Sequence, residues 1–253
     1  MSRAVRLIAL TLLSALLGSS PARAAEIHVL CSNGFKAVIE DLAPQFERAT
    51  ANIVRVSYGL SAELSRRIRG GEPFDVAILT PELIDALARE GRVAADSRTT
   101  LARSPIALAM KQGAAKPDLG TEESLKRTLL GATSIAYARE GASASHFLAV
   151  LQQLGLSEML KSRVVALASG AAVGASVSRG AAELGVLPVS EIMPIAGIEI
   201  AGAFPNGLAG FITITAATGD RALEPAASKA FIAFLADPAA QAVLVKRGME
   251  RPR

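Results

Sequence analysis

Ser32, Asn33 and Gly34 sit between an apolar, β-rich run (Ile27, Val29, Leu30) and four residues that recur at helical spacing, Val38, Ile39, Leu42 and Phe46. A strand that stops there and a helix that starts there bring together a hydroxyl, free backbone N–H groups and the positive end of the helix dipole. Gly34 allows the backbone to approach a guest closely. That is the chemistry of an anion held by dipoles rather than by a cation. The same residues also suit an ordinary helix cap, and this stretch alone leaves both readings open. Similar Ser/Gly-rich turns recur at Gly59-Leu60-Ser61, at Gly141-Ala142-Ser143 and at Ser169-Gly170, each just before a helical pattern. The recurrence favours the binding reading.

Other chemistry is thinly represented. There is no Gly-x-Ser-x-Gly elbow, and the sequence specifies no Ser-His-Asp arrangement. His28 and His146 are the only histidines and lie far apart in sequence, so no metal site is expected. His146 reads as a helix-surface or cleft-rim residue. Arg139 and Glu140 could reach a ligand but read first as a solvated loop pair. Asp75 reads as shaping the turn out of Gly70-Gly71-Glu72-Pro73 rather than as a catalytic acid. Cys31, the only cysteine, excludes an internal disulfide and reads as a buried thiol. No cofactor is expected, and the chain reads as a binding protein rather than an enzyme.

The elements that must position these turns alternate. Ile27–Leu30 reads as a strand, 36–49 as a helix, Ile53–Tyr58 as a strand, and a second helix opens at Ser61 and stops at Gly70-Gly71. A short strand, Asp75–Leu79, leads to Thr80-Pro81-Glu82, a helix start with Thr at the cap and Pro at the first helical position. This βαβαβα order calls for a mostly parallel sheet covered on both faces. Ligands of such sheets bind beyond the carboxyl ends of the strands, where Ser32, Ser61 and Thr80 fall. Around Leu101–Met110 the chain crosses into a second lobe, with the apolar run Ile106–Met110 as the crossing strand. Strands at Ser134–Tyr137, Val164–Leu167 and Leu184–Pro188 alternate with helices there. The chain returns near Ala203, and Phe211–Thr215 alternates as a strand. The fold class is therefore α/β: two Rossmann-like lobes joined by two hinge crossings, with residues 26–104 and 203–253 in the first lobe and 105–202 in the second.

The ends and the charge set the compartment. Arg3 and Arg6, an apolar run from Leu7 to Leu17, and Pro21-Ala22-Arg23-Ala24-Ala25 read as a secretory signal peptide over residues 1–25. The run is shorter than the roughly 18–20 residues a membrane span needs. Removing it takes away three arginines and no acid, so the formal charge of +4 drops to about +1. No cluster of Lys/Arg with interleaved aromatics suggests nucleic acid.

With these pieces in order, the sequence resembles the extracytoplasmic solute-binding proteins of ABC importers, in their type 2 periplasmic binding fold and molybdate-binding branch. The matching pieces are Cys31-Ser32-Asn33-Gly34, Val56-Ser57-Tyr58-Gly59-Leu60-Ser61, Gly71-Glu72-Pro73-Phe74-Asp75-Val76-Ala77-Ile78-Leu79 and Leu184-Gly185-Val186. The resemblance implies a small anion, a molybdate-like oxyanion, held in an interlobe cleft and delivered to an importer permease by a periplasmic monomer. Carried over residue by residue, it places first-lobe donors at Ser32, Asn33, Gly34, Ser61 and Ala62, and second-lobe backbone donors at Ser143, Ala144, Gly170 and Ala171. One position departs. Many molybdate binders have a tyrosine where this chain has Leu187-Pro188-Val189, and proline offers neither N–H nor hydroxyl. A small organic carboxylate is the alternative ligand, and ligand sensing the alternative role.

Overall fold

The computed structural model describes residues 24–252, so the expected signal peptide lies almost wholly outside the described residues. Strands β1 (Glu26–Ser32), β2 (Ile53–Gly59) and β3 (Val76–Leu79) run parallel with β1 in the middle. Each leads into a helix: α1 (Lys36–Thr50) after a short 3₁₀ turn at Asn33–Phe35, then α2 (Ser61–Arg69) and α3 (Pro81–Arg89). The stripe Val38, Ile39, Leu42 and Phe46 is the buried face of α1. Phe46 meets Phe231 edge-on with ring centroids 5.0 Å apart.

Strand β4 (Thr99–Lys111) is longer than the crossing strand the sequence suggests, beginning already at Thr99. Its first part pairs with β9 (Phe211–Thr218) as far as Pro105. From Ile106 onward it pairs with β7 (Leu184–Pro188) and β8 (Ile198–Ala203) instead. Pro105, with no N–H to give, stands where the partner changes and so interrupts neither ladder. Beyond β7, strand β5 (Ile135–Ala138) runs parallel to both β7 and β6 (Val164–Leu167). The continuous order is β2-β1-β3-β9-β4-β7-β5-β6, with β8 also on β4.

The sheet is mixed rather than mostly parallel, because the two strands that carry the chain between lobes, β4 and β9, run against their neighbours. A parallel return would need a covering crossover; a direct return reverses direction. Helices α4 (Glu122–Gly131), α5 (Ala144–Gln153), α6 (Ser157–Leu160), α7 (Gly170–Ser178) and α8 (Val189–Ile192) belong to the second lobe, and α9 (Pro225–Ala236) and α10 (Gln241–Lys246) close the chain.

Ser104, fully buried at the crossing, ties three segments together. Its hydroxyl donates to the Gly248 carbonyl at 3.0 Å and accepts from the Ser190 N–H at 3.0 Å. It thereby fixes the short helix α8 to the crossing strand and to the C-terminal segment. The return crossing lies alongside, with the Ile106 N–H donating to the Gly210 carbonyl at 2.8 Å.

Candidate functional site

Register decides which loops meet. In the first lobe Ser32 is level with Gly59 and Cys31 with Ile78, so β1, β2 and β3 end on one edge. Ser32-Asn33-Gly34, Leu60-Ser61-Ala62 and Thr80 all leave from that edge. In the second lobe Ala138 is level with Leu167, and Tyr137 with Val186. Arg139–Ala144, Ala168–Ala171 and Pro188–Glu191 therefore also leave from one edge. The interlobe cavities join the two edges. One of about 610 Å³ is lined by Thr80 and Pro81 on one side and Gly141, Ala142 and Ala144 on the other. A second of about 430 Å³ runs between Leu60 and Ala168.

The hydroxyls at this junction are not used for capping. Ser32 occupies the cap position of its 3₁₀ turn and Ser143 that of α5, yet neither side chain makes a cap hydrogen bond. Thr80 stands at the cap of α3 as expected, with Pro81 following, but its side chain makes no cap hydrogen bond. Ser61 is the first residue of α2, and its buried Oγ has no partner. Ser169 is different: it is a true cap, accepting from the Ala172 N–H at 3.2 Å. The N–H groups of Gly170 and Ala171, at the start of α7, lie ahead of the intrahelical ladder. Asn33 is partly buried and Gly34 buried at the matching place in the first lobe.

What brings the two sides together is a residue that sequence reasoning missed. The carboxyl of Glu191, on α8, lies between Gly34 and Gly170. A Cβ on Gly34 would be 3.6 Å from Glu191 Oε1, and one on Gly170 would collide with Oε2 and sit 3.2 Å from Leu187 Cδ2. The two glycines thus let the backbones of both lobes close on one carboxyl. No hydrogen bond or cation compensates it among the described residues, and burial alone pushes its pKa up to about 7. The dipoles of the flanking helix starts would favour ionisation. Without an N–H donating to the oxygens, desolvation wins. The neighbouring Ser190 hydroxyl and the Thr215 hydroxyl, opposite Leu79 at the end of β3, are buried without partners. The available signal for Glu191 was composition: it is the only charged residue between Glu183 and Glu199.

The remaining candidates separate. Ala62 is partly buried behind Ser61, Ala171 is exposed beside Gly170, and Ser143 and Ala144 are buried at the start of α5, beside the larger cavity. Glu140 is exposed, as a solvated loop residue should be, yet it is paired: Arg66 of the first lobe donates to it at 2.9 Å across the cleft. The exposed Arg139 lines both interlobe cavities. His146 holds the return crossing, its Nε2 3.0 Å from the Leu208 carbonyl. Burial pushes the Cys31 thiol well up, leaving it unreactive. Asp75 lies at the far end of β3, fully engaged with the backbone, accepting from the N–H groups of His28, Leu223 and Glu224 at 2.7–3.1 Å. A cavity of about 590 Å³ beside it is lined by His28, Phe74, Arg92 and Arg221, away from both strand-end edges.

This arrangement of two lobes joined by two crossings has known counterparts. Residues 27–250 match the family described as bacterial extracellular solute-binding protein. The chain belongs to that family. As a family member it is of the molybdate-binding-protein-like kind, with the type 2 periplasmic binding fold. It is 33% identical over 174 residues to the molybdate-binding protein ModA of Azotobacter vinelandii, covering 68% of each chain. The structure of the Azotobacter vinelandii periplasmic molybdate-binding protein superposes with a TM-score of 0.76 at 26% identity, covering 90% of this chain and all of that one. The chain is also similar to the aconitate isomerase of Pseudomonas sp, at 33% identity over 256 residues and 97% of both chains.

Proposed function

We propose that this family member works in the periplasm after export, capturing a small carboxylic acid between its lobes and delivering it to an ABC importer. The Glu191 carboxyl, uncompensated between Gly34 and Gly170, carries the reading. A dianionic oxyanion at that point would meet a second negative group in a desolvated cleft, a costly pairing. A carboxylic acid can share one proton with Glu191 while its remaining oxygens take the N–H groups of Gly34, Gly170 and Ala171 and the hydroxyls of Ser32 and Ser61. Pro188 removes one donor that a tetrahedral ion would need and leaves Leu187, whose Cδ2 borders Gly170, to face carbon. A thermal-shift panel tests this, with molybdate, tungstate, sulfate, phosphate and di- and tricarboxylic acids at pH 6 and pH 8. Saturation a hundredfold above Kd contributes about 2.7 kcal/mol and is easily seen. Stabilisation by carboxylic acids is expected; stabilisation by molybdate and tungstate alone, equal at both pH values, overturns the choice of ligand.

A second reading has the same cleft interconverting isomers of an unsaturated acid. It is favoured by the same carboxyl, whose pKa near neutrality suits proton transfer, and by the full-length similarity to an aconitate isomerase. Incubating the protein with cis-aconitate and following the isomers by NMR separates transport from turnover.

A further inference from the structure

We infer that Arg139 selects the guest: its guanidinium receives a second carboxylate, so that the acid captured between the lobes is dicarboxylic or higher. This inference rests on the carboxylic-acid reading above and narrows it to a class. Strand β5 ends at Ala138, and the Arg139 N–H carries on its ladder to β6, donating to the Leu167 carbonyl at 2.8 Å. The chain then folds back sharply. The Gly141 N–H donates to the Ala138 carbonyl at 3.0 Å, and a Cβ on Gly141 would stand 2.8 Å from that of Ala138, closer than side chains pack. So tight a turn leaves Arg139 and Glu140 at its tip, and both residues line the two interlobe cavities.

The two charges at that tip have different fates. Of the arginines that line the smaller cavity, Arg66 is engaged by Glu140 at 2.9 Å, whereas Arg139 has neither ion pair nor side-chain hydrogen bond among the described residues. The other acids on the cavity walls, Glu63 and Glu82, are exposed in the first turns of α2 and α3, where the helix dipole already offsets their charge. His146 is held by the Leu208 carbonyl. The uncommitted charge facing the cleft is thus one guanidinium, whose planar fork of N–H donors matches a carboxylate.

Space and lining agree with this. Cavities of about 430 and 610 Å³ are of the size that houses organic molecules and exceed the needs of a single tetrahedral ion. The smaller one begins beside Leu60 and Ala168, the residues just before Ser61 and Ser169, so it leads from the donor-bearing turns of both lobes to Arg139. Leu60, Ala166 and Leu167 wall this path with carbon. A guest that leaves one carboxylate at the turns passes its apolar chain along that wall and meets the guanidinium with its other end. A monocarboxylic acid on the same path would bring a methyl end to the cation and displace water from it without a replacement.

The test is calorimetric titration with two series of acids matched in chain length: malonate, succinate, glutarate and adipate against propionate, butyrate, valerate and hexanoate. In the wild type the best dicarboxylate should bind about tenfold tighter than its matched monocarboxylate, or better. Arg139→Gln should close most of that gap. Arg139→Lys should restore part of it, since an ammonium supplies the charge without the fork. Both variants should melt like the wild type, because the replaced side chain is exposed. Equal binding of the matched acids by the wild type overturns the inference without any variant and leaves carboxylate capture standing. A gap undiminished in Arg139→Gln overturns it as well. Failure of every acid in both series to bind overturns the carboxylic-acid reading itself, and this inference with it.

Discussion

Asp75 and Glu191 are both carboxylic side chains placed where solvent is scarce, at opposite edges of the sheet, and they live under opposite conditions. Asp75 is 1% exposed and takes backbone N–H donors from β1 and from the segment that opens α9, stitching together stretches far apart in sequence. Glu191 receives no such donors and lies at the junction of two lobes, between Gly34 and Gly170. A satisfied buried carboxylate belongs to the scaffold, whereas an unsatisfied one retained at a junction belongs to whatever the junction accommodates. The difference also explains why the cavity beside Asp75, though large, is the weaker candidate: its acid has no free capacity.

The largest effect that could break this contrast is Asp75→Ala. It orphans three backbone donors and should destabilise the fold by on the order of 4 kcal/mol, with a melting temperature lower by roughly 10 °C, while leaving ligand affinity per folded molecule unchanged. A normal melt would show that Asp75 is not structural.

Glu191 should act in the reverse sense. Its native pKa, about 7, lies above the ordinary glutamate value near 4.5, so between those values the folded state keeps a proton that the unfolded chain has released. Stability is therefore lost as pH rises through that window, by up to about 3 kcal/mol from this group. Glu191→Gln should melt like the wild type near pH 4.5 and higher than it at pH 8. Parallel pH profiles for the two proteins would remove the distinction from Asp75.

The hydroxyls sharpen the comparison on the binding side. Ser61→Ala removes a donor that no protein group uses, so it should leave the melt nearly unchanged and weaken anion binding about tenfold to a hundredfold. Ser32→Ala should behave likewise, since its side chain caps nothing. Loss of stability with normal affinity would return either serine to the scaffold. The smallest effect is expected at Arg66→Ala. Its pair with Glu140 crosses the cleft with both side chains at least half exposed, so under 1 kcal/mol is at stake. It should appear as a slightly larger radius of gyration by small-angle scattering with ligand bound, with no change in the melt.

How legible all this was depended on how local the signal was. Strand ends followed by Ser/Gly turns are local, so the edges bearing Ser32 and Ser61 in the first lobe and Gly170 in the second could be read from the chain. The mixed sheet could not, because the direction of β9 follows from where the second lobe returns and not from the alternating residues Phe211–Thr215. The start of β4 was hidden by Pro105, which looks like a break and is a change of partner. Glu191 was hidden because α8 is four residues long, too short to show a face. Its environment is made by Gly34 and Gly170, both distant in sequence. Pro188 was readable as a missing donor, but the sequence offered no sign that an acid three positions on would occupy the gap.

The hydroxyl of Ser104 bears on this last point. It anchors the segment carrying Glu191 to the crossing strand and the C-terminal tail together, rather than to the outer part of either lobe. In a clamp that swings about its crossings, points near the axle sweep the shortest arcs while the jaws travel furthest. Glu191 is mounted on the axle. Opening would draw Ser61 and Gly170 away on their respective jaws and leave the acid almost stationary, wetted only once the jaws part.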